Sequence, residues 1–350
     1  MTVRVAHGAL GEWVAACLRA VGVPEDDARV VAGSLVQTSL WGIDSHGVLR
    51  LTHYLTRLTR GSIVANAVAV LTKTGPVTAQ LDGKDGLGIA HATRAMAVAI
   101  DMAKEAGIGT VGVGNSSHCG AMGLYTREAA RQGLIGIAMT HSSSVVVPHG
   151  GRHKYFGTNP ISFAFAREGG EPVCLDMATS QVAWNKVLNA RIEGETLEAG
   201  LAVDEDGRPT TDPNLARAGI ALGGLTYGYK GYGLAFMVEL LCGPLNAMTF
   251  GPRVNDMYGQ LDQPRRIGHF LMAIDPQRFA GGPMLEATVD EIVRDLRTRG
   301  EILFPGEPEL IHERERRRSG IPVEPVAWTD MVQWSGKLGV APPAPLTGQT

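Results

Sequence analysis

The chain has 350 residues, enough for two domains and at least one well-buried core. Hydrophobic residues make up 44% and charged residues 19%, as in an ordinary soluble globular protein. The formal net charge of −3 argues against a general nucleic-acid or membrane-surface binder. The 45 glycines exceed the ordinary number, about 25 for this length. Many lie between apolar runs, which is typical of an α/β protein with tight turns around a ligand.

The four cysteines are scattered and form no CxxC pair: Cys17, Cys119, Cys174 and Cys242. This pattern indicates reduced thiols in a cytosolic protein. Cys119 follows His118, and we expect a small residue beside a site in preference to a nucleophile. The N-terminal segment contains Glu12 and is typical of an amphipathic helix, not of a signal peptide. The longest apolar segment, 233–250, contains Glu239, so we expect no membrane span and a cytoplasmic location.

Periodicity predicts two helices within residues 8–40, a helix over 48–60 and strands within 62–82. Beyond residue 89 it predicts a helix over 90–106, a strand over 108–113, a helix over 120–131 and a strand over 135–140. Further on follow a hairpin turn at Asp206-Gly207, an apolar helix over 231–241, a charged helix around 312–318 and a flexible tail over 341–350. The alternation of helices and strands predicts a mixed α/β core.

The usual dinucleotide-binding fingerprint is incomplete. Residues 112–117, Gly-Val-Gly-Asn-Ser-Ser, follow a predicted strand and precede a predicted helix, but Ser117 stands where the third glycine belongs. A protein of this sequence that binds a nicotinamide cofactor is therefore expected to do so without the Rossmann motif.

Two histidines follow small polar residues at predicted helix starts. Ser45 is expected to cap a helix that places His46 and Arg50 on one face. A 2-hydroxy acid needs such groups, a guanidinium fork for its carboxylate and a base near its hydroxyl. A capping histidine with a surface arginine explains this segment equally well. His118, predicted to lie at the positive end of a helix that favours neutral imidazole, is the stronger candidate for a base.

Three further segments are typical of ligand contacts. Asp176 ends an apolar strand, where ligands of α/β proteins collect, although a capped loop is an equally good interpretation. Lys230 is predicted at the start of an apolar helix, where its charge opposes the helix dipole and indicates a phosphate or ribose partner. Thr158 lies in the turn 157–160 and could face a ligand.

Together these segments resemble the malate/L-lactate dehydrogenase family, whose members lack the Rossmann fold. The resemblance covers residues 8 to about 340, and the motifs occur in the family's order. They are Ser45-His46-Gly47 with Arg50, 117–121, 146–148, 150–151, 157–160, 176–179, 210–213, 230–234 and 305–307.

The resemblance implies an α/β fold of non-Rossmann type with an NAD(P)-binding α/β domain, residues 76–307. A mostly helical second domain would comprise 1–75 and 308–340. It also implies a homodimer and a catalytic pair, with His118 as proton acceptor in oxidation and His46 as proton donor in reducing members. Ser45, His46, Arg50 and Thr158 would face the substrate. The cofactor, NAD or NADP, would be held by Ser142, Asp176, Met177, Ala178, Tyr229, Lys230, Pro305, Gly306 and Glu307.

The implied reaction is hydride transfer between NAD(P) and C2 of a small 2-hydroxy acid. Residues 176–191 and 250–258 look most like members that oxidise ureidoglycolate, whereas Asp44 and Ser143 differ from the side chains expected in those members. Malate, lactate, sulfolactate, a diketogulonate-type 2-keto acid and a cyclic imine are the alternatives within the family. A different class, a metal-dependent hydrolase, would use His141, His149 and His153, although no carboxylate or cysteine completes a familiar ligand set.

Overall fold

Residues 2–346, which the computed structural model describes, form ten α-helices and twelve β-strands. The helices are α1 (His7–Ala20), α2 (Glu25–Leu40), α3 (Leu51–Thr59), α4 (Gly88–Ala106), α5 (Gly123–Arg131), α6 (Trp184–Glu193), α7 (Gly224–Cys242), α8 (Gly282–Thr298), α9 (Glu307–Ser319) and α10 (Pro325–Leu338). The strands are β1 (Val3–Val5), β2 (Val70–Lys73), β3 (Thr78–Asp82), β4 (Ile108–Ser116), β5 (Ile135–Thr140), β6 (Ile161–Arg167), β7 (Gly170–Met177), β8 (Ala202–Val203), β9 (Pro209–Thr210), β10 (Ala218–Gly219), β11 (Ile267–Ile274) and β12 (Ile321–Val323).

The predicted mixed α/β core is confirmed. Its centre is a seven-stranded sheet in the order β2-β3-β4-β11-β5-β6-β7, in which β3 and β4 pair in parallel and every other neighbouring pair is antiparallel. A doubly wound Rossmann sheet is parallel throughout most of its width, so this sheet is of a different type. The strand β8 pairs with β9 and β10 in a small separate sheet, and residues 204–208 turn between β8 and β9 as predicted.

The glycines of the incomplete fingerprint lie inside β4. A Cβ atom at Gly112 would overlap the Asn246 Oδ1 atom, in the turn that follows α7. Close packing therefore explains this glycine, and the segment makes no strand-to-helix turn of the kind that holds a pyrophosphate.

Both ends of the chain contribute to one helical core. Buried side chains of α1, α2, α3 and α10 form a single apolar cluster, and β1 pairs with β12. This packing supports the predicted helical domain, whose limits stay a prediction. Strand β2, which the predicted boundary at residue 75 assigns to that domain, hydrogen-bonds to β3 at the edge of the sheet.

Several predicted element limits were wrong. The helix predicted over 48–60 is a 3₁₀ turn, Val48–Arg50, followed by α3, and the helix predicted from residue 120 begins at Gly123. The predicted apolar helix over 231–241 begins earlier, at Gly224, so Lys230 lies in its second turn and not at its start. In the predicted tail, Pro345 bridges to Val5, and 347–350 lie outside the described residues. Within residues 2–346 no helix combines the length and the apolar character needed to cross a membrane.

A substitution at Gly109 tests how closely α4 packs on the sheet. A Cβ atom there would overlap the carbonyl oxygen of Ala99, a backbone atom that cannot rotate away. We therefore expect Gly109→Ala to lower the free energy of unfolding by about 1–3 kcal/mol, measured by urea denaturation. Gly33→Ala is the matched control, because no atom lies within 4 Å of its added Cβ on α2. Equal stability of the Gly109→Ala variant and the parent protein would contradict this packing.

Candidate active site

The two candidate histidines and the candidate arginine line one cavity of about 180 Å³. Its walls come from the turn after α2, the loop before α5, the end of β5, the loop before β6, the segment before α6 and the loop before β11. The sequence-predicted residues in the lining are His46, Arg50, His118, Ser142 and Thr158. Segments far apart in the chain therefore converge on one cavity.

His46 and His118 face each other across this cavity. Their ring centroids are 5.3 Å apart, with 31° between the ring planes. Burial, helped by the Arg50 charge, lowers the pKa of His46 to about 4. Burial also holds the pKa of His118 well below 6.5, and the neighbouring His46 and Arg50 add to that effect. Both imidazoles are therefore neutral at physiological pH.

Tyr54 was missed by the sequence analysis, and it fixes the orientation of His118. Its hydroxyl lies 2.6 Å from His118 Nδ1, and the Gly120 N–H donates to the same nitrogen at 3.3 Å. The Gly120 contact favours an unprotonated Nδ1 with the proton on Nε2. When Nδ1 instead carries the proton and donates to the Tyr54 oxygen, the Gly120 bond is lost and Nε2 can accept a proton. When Nδ1 accepts, Nε2 carries a proton that it can donate. The site thus suits His118 as a base or as an acid.

The prediction that Ser45 caps a helix bearing His46 and Arg50 was wrong. Residues 44–46 form their own 3₁₀ turn, and Gly47 separates it from the next turn. Gly47 breaks the helix with a φ of −87° and a ψ of −149°, and a side chain at this position would overlap the Ser39 hydroxyl of α2. Ser45 instead places its hydroxyl 2.9 Å from His46 Nδ1. His118 also lies outside a helix, five residues before α5, so burial and not a helix dipole keeps it neutral.

Arg50 is largely engaged by the protein itself. Its Nε and Nη2 atoms donate to the Ser45 carbonyl at 3.0 and 2.5 Å, and its Nη1 donates to the Tyr258 hydroxyl at 3.0 Å. Tyr258 belongs to a loop that Arg57 stabilises by donating to the carbonyls of Asp256 and Met257. Arg50 therefore keeps only part of its donor capacity for a ligand.

Arg265 is the second residue that the sequence analysis missed. It lines the same cavity and is 3% exposed. Its Nε and Nη1 atoms have no hydrogen-bond partner among the described residues, and its Nη2 reaches only the Ser143 hydroxyl, at 3.4 Å. Burial lowers the pKa of Arg265 to about 10, so it is still cationic at neutral pH. The motif Gln-Pro-Arg-Arg before an apolar strand was the only signal in the sequence.

Ser142 and Thr158 are connected by hydrogen bonds at the cavity wall. The Thr158 N–H donates to the Ser142 hydroxyl at 3.2 Å, and the Thr158 carbonyl accepts from the Thr179 N–H at 2.9 Å. This second bond connects Thr158, the predicted substrate contact, to Thr179, the residue that follows the predicted cofactor contacts 176–178.

The remaining predicted cofactor contacts form two groups. In the first, Asp176 accepts the Gly123 N–H at 2.7 Å, and the neighbouring Cys174 N–H donates to the Pro305 carbonyl at 2.8 Å. Burial raises the pKa of Asp176 to about 6. Residues 176–178 and 305–307 therefore meet beside α5. In the second group, Tyr229 is half exposed on α7 beside His149, and Lys230 lies over the Tyr227 and Tyr229 rings. Neither of these two lines the cavity.

The alternative metal site finds no support in the geometry. Residues 2–346 contain no group of three histidine, cysteine or carboxylate side chains placed to hold a metal ion. His141 is fully buried, His153 is exposed and His149 packs against Tyr229. Cys119 is also buried, which raises the pKa of its thiol to about 12 and suits the structural interpretation, not the nucleophile.

The chain belongs to the malate/L-lactate dehydrogenase family, whose sequence pattern matches residues 5–332. It is 35% identical to a ureidoglycolate dehydrogenase (NAD(+)) of Escherichia coli, over 86% of this chain and 87% of that one. It is also 35% identical to the L-sulfolactate dehydrogenase of Methanothermobacter thermautotrophicus, over 88% and 89% of the two chains. Its fold matches the crystal structure of malate dehydrogenase from Entamoeba histolytica with a TM-score of 0.92 and 30% identity, covering 97% and 99% of the two chains.

Buried neutral histidines make the protein sensitive to acid. Burial lowers the pKa values of His141 and His269 to about 3, whereas each titrates near 6.5 when unfolded. Below pH 6.5 the unfolded chain binds protons that the folded chain does not, so stability falls as pH falls. Each residue is expected to cost about 2 kcal/mol between pH 7 and pH 5, measured by urea denaturation at both values.

His141→Leu isolates one of these contributions, since it should reduce the loss of stability between pH 7 and pH 5 by about 2 kcal/mol. The matched control is His153→Leu, at an exposed position, which should leave the loss unchanged. An equal loss in the His141→Leu variant and the parent protein would refute the contribution of His141.

Proposed function

We propose that this protein transfers a hydride between NAD(P) and C2 of a small 2-hydroxy acid. The observation that carries the proposal is a neutral His118 whose Nδ1 is held by Tyr54, in one cavity with His46 and Arg50. These are a proton acceptor and a carboxylate-binding group, the two functions that oxidation of a 2-hydroxy acid requires of side chains. The names of the ureidoglycolate and L-sulfolactate dehydrogenases support the same class of reaction.

Two segments fit the ribose part of a nicotinamide cofactor. Asp176 uses one carboxylate oxygen on Gly123, and a Glu309 carboxylate oxygen close by is buried without a hydrogen-bond partner among the described residues. Ribose hydroxyls are donors for such acceptors. We therefore assign Asp176, Met177, Ala178, Pro305, Gly306 and Glu307 to cofactor binding, with Ser142 at the cavity wall. Tyr229 and Lys230, which lie on α7 outside the cavity, are proposed as further cofactor contacts. The bound cofactor would supply the hydride acceptor.

The protein's own residues would handle the proton and the orientation of the acid. His118 Nε2 takes the proton of the C2 hydroxyl during oxidation, while Tyr54 holds the ring in place. His46 lies against His118 and can serve as donor in the reducing direction. Arg50 and the Thr158 side of the cavity orient the carboxylate. Because the Arg50 charge lowers the pKa of His118, a bound carboxylate that offsets this charge would make His118 a stronger base.

Ureidoglycolate is the first substrate to test, and malate, lactate, sulfolactate, 2-keto acids and cyclic imines are the alternatives. The assay follows NAD(P)H absorbance with purified protein, each cofactor and each acid. We expect NAD(P)H to appear with at least one hydroxy acid. No turnover with any acid, in either direction, would refute the proposed reaction.

Replacement of His118 tests the mechanism separately. Without the proton acceptor, His118→Ala should lower kcat by about 10²–10⁴-fold and leave cofactor affinity nearly unchanged, because the imidazole acts on the substrate proton. His153→Ala, at an exposed position, is the matched control and should retain full kcat. A His118→Ala variant that keeps most of its kcat would remove this residue from the proposed mechanism.

We further propose a cytoplasmic homodimer. Four buried free cysteines suit a reducing compartment, and cell fractionation with an antibody tests the location. Helix α7 carries only two charged residues over 224–242, and large apolar side chains on and just after it are exposed: Leu225, Met237, Leu240 and Leu245. An apolar patch of this kind marks an interface, and a second copy would cover it.

Light scattering after size-exclusion chromatography tests this assembly. The parent protein is expected at twice the chain mass of 37.1 kDa, and Met237→Glu with Leu240→Glu should give the single-chain mass, because two charges would be buried in the interface. Leu215→Glu, also exposed but outside α7, is the control and should remain dimeric. A monomeric parent protein would contradict the homodimer.

A further inference from the structure

Arg265 and Arg127 are two buried arginines with guanidinium nitrogens that lack a hydrogen-bond partner among the described residues, and of these two only Arg265 lines the cavity. Arg57, 1% exposed, donates to three backbone carbonyls and to His53 Nε2. Arg265 is similarly buried, yet two of its three nitrogen atoms have no partner among residues 2–346. A buried cation without compensation costs several kcal/mol. Such a group is retained where a ligand compensates it, so Arg265 marks a binding position.

The surroundings of Arg265 also carry an excess of positive charge. Within the described chain, the cavity lining includes four cationic side chains and one carboxylate: Arg50, Lys154, Arg217, Arg265 and Asp256. The Asp256 carboxylate accepts the N–H groups of Tyr258 and Gly259 with one oxygen, at 2.7 and 2.6 Å, and attracts Arg265 without a hydrogen bond. No ion pair within 4 Å joins it to Arg265 in the part of the chain described. The cavity therefore favours more than one negative charge.

The backbone aims Arg265 at this cavity. The next residue, Arg266, has a φ of 48°, a left-handed conformation that is rare for residues other than glycine. Its side chain points away and pairs with Asp85 at 3.3 Å. The two adjacent arginines are thus directed to opposite sides of the loop, one to the surface and one into the cavity. Strained backbone of this kind clusters at functional sites.

We propose that Arg265 binds a second anionic group at the far end of the substrate, while Arg50 and Thr158 orient the carboxylate beside C2. The substrate class is then a 2-hydroxy acid that carries a second carboxylate or a sulfonate, in preference to an acid with an uncharged end such as ureidoglycolate or lactate. This inference rests on the proposed function for the position of C2. Arg265 has free donors for a bidentate contact, which Arg50 has largely spent on Ser45 and Tyr258.

The test compares malate and 3-sulfolactate with lactate and ureidoglycolate in the parent protein and in Arg265→Gln. Loss of a charged hydrogen-bond partner should lower kcat/KM for the two dianions by about 10- to 200-fold. The values for lactate and ureidoglycolate, which carry no second anionic group, should fall far less. Arg266→Gln is the matched control and should change neither. The melting temperature of Arg265→Gln should equal or exceed that of the parent protein, because the variant removes a buried charge that has no hydrogen-bonded anion.

A second measurement separates this inference from the proposed reaction. Calorimetric titration with succinate and with propionate, which lack the C2 hydroxyl, needs no turnover. Succinate is expected to bind the parent protein more tightly than propionate, and Arg265→Gln should remove that difference. If no acid is oxidised but this pattern holds, the reaction fails and the anion site stands. An equal loss for malate and lactate, or succinate binding that is unchanged in Arg265→Gln, overturns the assignment of Arg265.

Discussion

The burial of His118 in a cavity shared with other basic side chains is the constraint on which the site depends. A histidine in water titrates near 6.5 and would be partly charged at neutral pH. Here burial, the facing His46 ring 5.3 Å away and the nearby arginines all disfavour the charged form. These effects act in one direction, so the ring is neutral without a carboxylate partner. The Tyr54 hydroxyl, 2.6 Å from Nδ1, holds the ring in one orientation in either tautomer.

Burial also raises the energetic cost of leaving an arginine charge without a partner. In a medium of low dielectric, a guanidinium is either satisfied by the protein or left for a ligand to satisfy. Arg57 represents the first case, and it holds in place the loop that brings Tyr258 to Arg50. Arg265 represents the second case. The fold thus supports the walls of the cavity with one buried arginine and leaves another available inside it.

Sequence periodicity gave the regular core, because local patterns determine it. The strand predicted over 135–140 and the helix predicted over 90–106 match β5 and α4 to within two residues. The segment Ser45–Arg50 was predicted as one helix because nothing local reveals that Gly47 touches Ser39 on α2. His118 was recognised from its neighbours, but Gly120, with a φ of 73°, keeps it in a loop ahead of α5.

The two missed residues show where sequence reasoning stops. Tyr54 lies on the buried face of α3, where an aromatic residue is typical of a core position. Arg265 follows a proline in a polar stretch, which is typical of a surface turn. Their roles depend on contacts with residues 64 and 122 positions away in the chain. Such contacts depend on how distant parts of the chain fold together, so a pattern of neighbouring residues does not predict them.

The site couples the binding of an acid to the strength of its base. Arg50 and Arg265 both lower the pKa of His118, so His118 is a weak proton acceptor while these charges are uncompensated. An anion that contacts either guanidinium cancels part of that effect and raises the affinity of His118 for a proton. Binding of an anionic group remote from C2 thereby makes His118, the proposed proton acceptor beside C2, more basic. A second anionic group on Arg265 would strengthen this conversion, because each arginine contributes its own share of the shift.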